Sequence, residues 1–243
     1  MPSTIPSIEG TAVQRDAIPA SPPSVSPVGT ARYNPRMLGG GSVVPYVGSW
    51  TGERMRPTRV IERPGGGGIG FADETILDRD EWGVLWTRFA GRVGAGKPLF
   101  QKLHPVRQRR AMRRLLCQVC TEPADSTDDG TLWLVPGGEV GNSAGWPEGA
   151  ATIHPPLCSS CARLSVRMCP ALRQHYLALR ARSRLHGVNG VHFRAGHPHP
   201  QPASSDSDEY AVSFDDPVIR WVMATQLVRT LHDCTAVDLE RLS

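Results

Sequence analysis

The sequence predicts an α+β fold in which short strands are combined with a small number of helices. Three observations indicate this class. The β-prone segments are short and separated by turn-rich stretches, other segments have the three- and four-residue apolar spacing of helices, and two Cys-x-x-Cys pairs flank a segment with one clear strand. We therefore expect one hydrophobic core to which both kinds of element contribute.

The N-terminal sixth of the chain differs in composition from the rest. Residues 1–42 are rich in Pro, Ser and Gly and contain few large apolar side chains. Such a segment cannot bury enough surface to offset the entropy of ordering it, so we expect it to be disordered. Residues 43–243 are then expected to form a single α+β domain, with the glycine-rich stretch 64–70 as a linker within it.

The N-terminus also bears on the compartment. It has neither the basic start nor the apolar segment of a secretory signal, and no run of about 18 apolar residues occurs anywhere. We expect a soluble protein of the reducing cytoplasm that does not contact a membrane. Structural disulfides are rare in that compartment, whereas metal sites built from cysteines are common.

The first helix is predicted at residues 105–116. Pro105 suits the first helical position, where the missing N–H has no consequence, and the residues that follow are mostly good helix formers. Residues 131–135, Thr-Leu-Trp-Leu-Val, predict a strand. Between residues 82 and 89 the periodicity does not distinguish a strand from a short helix.

A second helix is predicted from Cys158 to Ser183, because apolar residues recur three or four positions apart along it. Pro170 lies inside this pattern and predicts either a kink or the start of a separate helix. Residues 190–196 and 210–214 then predict two strands.

The last predicted element is an amphipathic helix over residues 215–233. Asp215 or Asp216 would cap it and Pro217 would begin it. Its expected buried face consists of Val218, Trp221, Val222, Thr225, Val228 and Leu231.

The two Cys-x-x-Cys pairs predict a metal centre. Residues 121–157 separate Cys117 and Cys120 from Cys158 and Cys161. Two such pairs are the usual ligand set of a tetrahedral structural zinc, since a two-residue gap lets both sulfurs face one ion. We expect one Zn²⁺ per chain within a module over residues 105–184. A redox pair or two disulfides are the alternatives, and the second pair and the expected compartment disfavour them. Cys169 and Cys234 are expected to be small buried apolar residues.

The order of elements around the cysteines resembles a treble clef. A cysteine knuckle, a β-hairpin and a helix that carries the last two ligands follow one another in that fold. The scaffold is similar to that of HNH-type endonucleases, which hold a catalytic metal with a histidine on the hairpin. Here Trp133 and Leu134 occupy the positions of the Asp-His pair, so the resemblance implies no nuclease activity. His154 is the nearest substitute, and we interpret it as a loop histidine.

A wider resemblance covers most of residues 44–196. The segments Val-Pro-Tyr-Val-Gly-Ser-Trp-Thr-Gly-Glu (44–53), Gly-Ile-Gly-Phe-Ala-Asp-Glu (68–74), 107–120 and 161–173 are similar to a group of uncharacterised zinc-binding proteins from GC-rich bacteria. This resemblance implies no activity.

Positive charge is concentrated around the cysteines. Residues 101–196 carry 13 basic and 6 acidic side chains, whereas residues 197–243 carry 3 and 8. Two basic helices beside one zinc site would suit contact with the phosphates of DNA or RNA, and a solvated surface without a ligand is the alternative. The candidate contacts are Arg107, Arg109, Arg110, Arg113, Arg114, Arg163, Arg167 and Arg173.

The sequence thus favours a non-catalytic structural-zinc protein that binds nucleic acid. A protein–protein adaptor, which would meet its partner through the N-terminal segment or the C-terminal helix, is the second hypothesis. An enzyme is the third, because no catalytic constellation is recognisable. The histidines between His186 and His199 are interpreted as exposed loop residues.

Overall fold

The computed structural model of the chain describes residues 43–137, 145–203 and 211–242. Most of the regular structure in these residues is β-sheet, and the helices are few. The strands are β1 (Gly48–Trp50), β2 (Arg54–Met55), β3 (Val60–Glu62), β4 (Ile69–Phe71), β5 (Leu85–Trp86), β6 (Phe89–Ala90), β7 (Pro98–Leu103), β8 (Ser126–Thr127), β9 (Gly130–Pro136), β10 (Ala151–Thr152), β11 (Tyr176–Arg194), β12 (Gln201–Pro202), β13 (Val212–Ser213) and β14 (Val222–Ala236). The helices are α1 (Pro105–Arg114), α2 (Ser159–Met168) and α3 (Pro170–Gln174), with short 3-10 turns at Pro64–Gly66, Ile76–Asp78, Pro217–Trp221 and Leu239–Arg241.

The largest sheet has the antiparallel order β10-β14-β11-β9-β8, and the two long strands β11 and β14 lie at its centre. The short strands β12 and β13 pair with β11, and β5 pairs in parallel with β14. Bulges interrupt the β11–β14 ladder at three places along β11. At two of these places a side chain would collide with the neighbouring strand. A Cβ at Gly187 would lie 1.9 Å from the carbonyl oxygen of Val212, and one at Gly190 would lie 2.3 Å from that of Met223.

Helix α1 is fixed to this sheet by a buried amide. The Gln108 side chain is fully buried, and its Nε2 donates to the carbonyl oxygens of Ile153 and Leu227 at 2.6 and 2.9 Å. Its Oε1 accepts from the backbone N–H of Leu227 at 3.0 Å. Both N–H groups of the amide and its oxygen are thus engaged, which holds α1 against the sheet.

Three clusters of buried side chains surround the sheet, and two of them meet at β9. One includes Trp86, Met112, Trp133 and Leu227 and joins α1 to β5, β9 and β14. The other lies on the opposite side of β9 and contains Leu132, Leu134 and Leu157 together with Cys117 and Cys161. Alternate residues of β9 therefore enter different clusters, as the period-two geometry of a strand requires.

The structure confirms a mixed α/β fold with few helices, and it confirms the helix predicted at 105–116 and the strand predicted at 131–135. The amphipathic helix predicted at 215–233 is wrong, because most of that segment forms β14. Its residues Val222, Thr225, Val228 and Thr230 are β-branched, and β14 is a central strand with buried residues on both faces. Because both faces are buried, apolar and polar residues do not alternate along this strand. The spacing of its apolar residues therefore also fits a helix.

The second helical prediction is correct only in its first part. Pro170 begins a separate helix, which was one of the two predicted outcomes. This helix, α3, ends at Gln174, however, and the residues from Tyr176 onward form strand β11. The predicted strand at 190–196 is the end of this long strand, and the one at 210–214 is represented by β13. The stretch 64–70, predicted as a linker, instead forms a turn and the start of β4, with Ile69 fully buried. The predicted disordered segment 1–42 lies outside the described residues.

Candidate metal centre

The four cysteines of the two Cys-x-x-Cys pairs converge on one point. The sulfur atoms of Cys117, Cys120, Cys158 and Cys161 all lie within 4.8 Å of one another, and the Sγ atoms of Cys120 and Cys158 are 3.8 Å apart. All six cysteines of the chain are free thiols. The cluster of four could therefore hold a metal ion.

The first pair lies in a tight turn directly after α1. Leu115 ends the helix in the left-handed conformation with φ 50°, which turns the chain back toward the sheet. The backbone N–H of Cys117 then donates to the carbonyl oxygen of Glu122 at 2.7 Å, and the N–H of Thr121 donates to that of Cys117 at 3.0 Å. The backbone N–H of Glu122 also donates to the Cys120 sulfur. This turn fixes both sulfurs on one side of the backbone.

The second pair belongs to the N-terminus of α2. Cys158 is the N-cap residue and Cys161 lies in the first turn, where the backbone N–H of Cys161 donates to the Cys158 sulfur. The Ser160 hydroxyl lies 3.3 Å from the same sulfur. The partial positive charge of a helix N-terminus favours thiolates at these two positions.

Backbone hydrogen bonds also connect the two cysteine pairs. The N–H of Gln118, inside the first pair, donates to the carbonyl oxygen of Pro156 at 3.0 Å. The N–H of Leu157 donates to Leu132 on β9, and the N–H of Asp125 donates to Leu157. The chain that leads into Cys158 is thereby held between the first turn and the β8–β9 hairpin.

The electrostatics of the cluster reflect four sulfurs in close contact. Hydrogen bonding to Cys117 lowers the pKa of Cys120 to about 7. Hydrogen bonds with Cys117 and Cys161 hold the pKa of Cys158 well below its usual range, whereas hydrogen bonds with Cys120, Cys158 and Cys161 raise the pKa of Cys117. Several thiolates at this spacing repel one another, so protons or a cation must neutralise them.

Burial is uneven within the cluster. Cys117 and Cys161 are buried among apolar side chains, whereas Cys120 and Cys158 are half-buried. Cys169, at the end of α2, packs against the same apolar cluster without joining the four sulfurs. Cys234 lies elsewhere, where burial raises the pKa of its thiol to about 11 and its sulfur lies 3.6 Å from the carbonyl oxygen of Pro147.

Trp133 and Leu134, which the sequence resemblance placed where an Asp-His pair would be expected, are part of the hydrophobic core. Trp133 and Leu134 on β9 are 2% and 5% exposed. His154 lies before the second cysteine pair and is half-buried, and its backbone N–H donates to the Thr152 hydroxyl at 3.1 Å. The hairpin thus brings no titratable side chain from these two positions to the sulfur cluster.

The predicted arginine contacts divide into three groups, and the first group is engaged within the protein. Arg107 is buried and forms an ion pair with Glu53. Arg109 lies over the ring of Trp86 at 4.1 Å, and Arg113 pairs with Glu81 and lies over Trp82. Arg109 and Arg113 thus stabilise packing between α1 and the segment that contains β5, whereas Arg107 connects α1 to the region of β1.

Two more of the candidate arginines form hydrogen bonds within the protein. The guanidinium of Arg110 donates to the Tyr46 hydroxyl at 3.2 Å. Arg163 on α2 donates to the carbonyl oxygen of Leu242 at 2.8 Å and so holds the end of the chain. Both side chains are half-buried.

The remaining three candidates are exposed. Arg114 ends α1 three residues before Cys117, Arg167 lies near the end of α2, and Arg173 lies in α3. Arg173 donates through its Nε to the backbone carbonyl of Arg167, at 2.8 Å, which keeps its guanidinium beside the end of α2. These residues are free to meet a ligand without loss of a buried contact.

A buried charge cluster was not predicted from the sequence. Glu53 has a fully buried side chain that accepts hydrogen bonds from Arg107 at 2.6 and 2.8 Å and from the backbone N–H of Trp50 at 2.9 Å. His104 lies beside it, with its Nε2 3.8 Å from the carboxylate. No local pattern relates Glu53 to Arg107, because the pair is created only when β1 packs against α1.

Comparison with protein-family models, with curated proteins and with solved structures finds no match to this chain. Among the described residues, no helix has both the length and the apolar character needed to cross a membrane.

Proposed function

We propose that Cys117, Cys120, Cys158 and Cys161 hold one structural Zn²⁺. The observation that carries this proposal is the distance of 3.8 Å between the Cys120 and Cys158 sulfurs. Four Zn–S bonds of about 2.3 Å in a tetrahedron place neighbouring sulfurs about 3.8 Å apart. The cluster needs only a small contraction of its longest separations to meet that geometry.

The arrangement around the four sulfurs supports a treble clef. A cysteine turn, the β8–β9 hairpin and a helix with two ligands in its first turn follow in that order. Four thiolates fill the coordination of zinc and leave no position for a water molecule, so the ion would have a structural role. Its binding would contribute directly to folding.

We further propose that the protein binds nucleic acid through the exposed arginines beside this centre. Arg114, Arg167 and Arg173 flank the two cysteine pairs, and their exposure supports contact with phosphates. Phosphate contacts by arginine give affinity with little dependence on base sequence. The free thiols and the need for reduced ligands fit a cytoplasmic location.

Two measurements test these proposals separately. Elemental analysis of the purified chain should find one zinc per molecule. Titration at two salt concentrations should give a log–log slope of about −3 for a labelled random-sequence DNA duplex and about −2 for a single-stranded RNA if three phosphates are contacted. No binding at low salt overturns the nucleic-acid proposal and leaves the zinc proposal intact.

A protein–protein adaptor is the second candidate. The observation that favours it is the exposure of Ile76 and Leu77, which are 92% and 86% accessible to solvent. Large apolar side chains in adjacent exposed positions are typical of contact surfaces.

A further inference from the structure

A second group of exposed cations lies on two chain segments that pair with each other. Residues 49–56 and 88–103 run antiparallel, with β2 paired to β6 and β1 paired to β7. Between these two ladders the backbone N–H of Thr51 donates to the carbonyl oxygen of Lys97 at 2.8 Å. The two segments therefore form one continuous two-stranded unit, which we call the basic ribbon.

The basic ribbon carries exposed cations that are not neutralised within the protein. These residues are Arg54, Arg56, Arg92, Lys97 and Lys102. Within the part of the chain that the structure describes, none of the five side chains forms an ion pair or a hydrogen bond. The sequence of the ribbon contains one acid, Glu53, which is buried and paired with Arg107. The ribbon thus exposes positive charge without an exposed acid of its own.

The acids that border the ribbon leave this excess of positive charge in place. Arg88, the remaining basic residue of the ribbon, pairs with the neighbouring Asp73 and Asp78. When these partners and the buried ion pair are included, seven cations and three carboxylates leave a net charge of +4. A local excess of this kind is the usual electrostatic signature of a surface that meets phosphates.

Strand register places the arginines of β2 and its extension on the outer face of the ribbon. Phe89 packs edge-on against the buried His104, with ring centroids 4.9 Å apart, so its side chain faces inward. The next residue, Ala90, therefore faces outward, and so does Arg54, which pairs with it. Arg56 lies two positions further along and shares this face.

The other strand brings a lysine to the same face. Trp50 is buried and faces inward, so the exposed Thr51 that follows it faces outward. Lys97 lies opposite Thr51, and its backbone N–H donates to the Thr51 hydroxyl at 2.9 Å. Lys97 is therefore held on the outer face together with Arg54.

A three-residue bulge in β7 adds an aromatic side chain to this surface. Gly48 and Ser49 are consecutive in β1, yet they pair with Leu103 and Leu99, so the three residues between these partners face no residue of β1. Phe100 is the first of the three and is 57% exposed, and the other two are also exposed. Bulges redirect side chains and occur often beside functional sites.

Exposed cations beside an exposed aromatic ring fit a single-stranded nucleic acid. The cations can contact phosphates, and the ring of Phe100 can stack on an unpaired base, whose face is hidden in a duplex. A membrane surface would require a larger apolar face than Phe100 and Met55, the two large apolar side chains exposed on the ribbon, provide. The combination of charge and ring therefore favours a nucleic acid with unpaired bases.

We propose that the basic ribbon binds single-stranded nucleic acid, with its five exposed cations on the phosphates and Phe100 stacked on a base. This site goes beyond the nucleic-acid surface proposed above, because it shares no residue with Arg114, Arg167 and Arg173. It also depends on no metal, since none of its residues belongs to the cysteine cluster.

Fluorescence anisotropy with a labelled oligothymidylate of about 12 nucleotides tests this site. The protein is the full chain with Arg114→Ala, Arg167→Ala and Arg173→Ala, which removes the other proposed surface. We expect binding with a log–log salt slope of about −3.5, because five cations meet phosphates of a single strand. The same oligonucleotide paired with its complement should bind at least about 10-fold more weakly, because its bases cannot stack on Phe100.

Variants of exposed residues separate the effect of charge from that of stacking. Lys97→Gln with Lys102→Gln should reduce the magnitude of the slope by about 1.4. Phe100→Ala should weaken binding about 10-fold and leave the slope unchanged, whereas Phe100→Trp should retain the affinity. Arg182→Gln and Tyr176→Ala change an exposed cation and an exposed aromatic residue of β11, outside the ribbon, and should have no effect.

The outcomes that would overturn the proposal are distinct. One is absence of binding to the oligonucleotide at low salt, and another is equal affinity for the single strand and the duplex. A third is binding that neither the lysine variant nor Phe100→Ala alters. Binding to vesicles of phosphatidylserine and phosphatidylcholine, without binding to the oligonucleotide, would show that the ribbon meets a membrane surface instead. The chain in this test lacks Arg114, Arg167 and Arg173, so none of these results bears on the surface beside the cysteines.

Discussion

The carboxylate of Glu53 and the guanidinium of Arg107 form a buried ion pair, with two hydrogen bonds of 2.6 and 2.8 Å. Arg107 also donates to the carbonyl oxygen of Gly48 at 2.6 Å and so connects α1 to β1. Burial raises the pKa of Glu53, but the hydrogen bonds and charge of Arg107 outweigh this effect and leave the pKa below its ordinary value. An arginine that the sequence suggested for phosphate contact is thus a structural residue.

Removal of one partner of this pair should be strongly destabilising. Arg107→Ala leaves the Glu53 carboxylate buried without a counter-charge, and we expect the free energy of unfolding to fall by about 3–5 kcal/mol. Chemical denaturation followed by tryptophan fluorescence measures this loss. Arg114→Ala, on an exposed position of the same helix, is the matched control and should change stability by less than about 0.5 kcal/mol. Equal losses of stability in the two variants would contradict a structural role for Arg107.

Stability should decrease as the pH falls below neutrality, and His104 should account for part of the decrease. Burial and the charge of Arg107 lower the pKa of His104 to about 4, below the ordinary value of about 6.5. Below pH 6.5 the unfolded chain therefore binds a proton that the folded chain does not. The contribution of the neutral His104 imidazole to stability is fully present above pH 6.5 and is lost as the pH falls toward 4. Between pH 7.5 and pH 5 the free energy of unfolding should fall by about 1–2 kcal/mol for this reason.

The His104 contribution can be isolated by substitution. The difference in unfolding free energy between pH 7.5 and pH 5 should be smaller in His104→Gln than in wild type. His197→Gln, at an exposed position, should retain the wild-type difference. An unchanged pH dependence in His104→Gln would show that the imidazole is not responsible.

Loss of a cysteine in the cluster should remove zinc and unfold the region around it. We expect Cys161→Ser to bind no zinc at stoichiometric concentration and to lose the far-ultraviolet circular dichroism of the folded module, because zinc binding of about 10–16 kcal/mol in small modules is folding energy. Cys169→Ser is the matched control, since Cys169 packs in the same apolar cluster outside the four sulfurs. Zinc retained in Cys161→Ser, or lost in Cys169→Ser, would refute the ligand set.

Each exposed arginine that meets a phosphate should contribute to the salt dependence of nucleic-acid binding. Arg167→Ala should reduce the log–log slope by about 1 and weaken binding to a similar extent for all sequences. Arg114→Ala should act in the same way. Arg182→Ala, at an exposed position on β11 outside the proposed surface, is the control and should leave the slope unchanged.

The prediction of helix α1 and strand β9 succeeded because local signals determined both elements. Pro105 marked the start of α1, and the strand-forming residues of β9 stand between turn-rich loops. The prediction of β14 failed because both of its faces are buried. Pairing with β11 along twelve positions decides its conformation, and pairing partners distant in sequence leave no local signal.

The sequence by itself determined the four cysteines as a group, since the repeated two-residue spacing requires each pair to face one point. Only the tertiary structure decided which arginines remain available. Arg107 is buried beside Glu53, and the half-buried Arg109 and Arg113 are engaged by Trp86 and Glu81. The cysteines could be grouped from the sequence because the spacing of metal ligands is a local property of the chain. The partner of a long charged side chain, in contrast, depends on which distant segment packs against it.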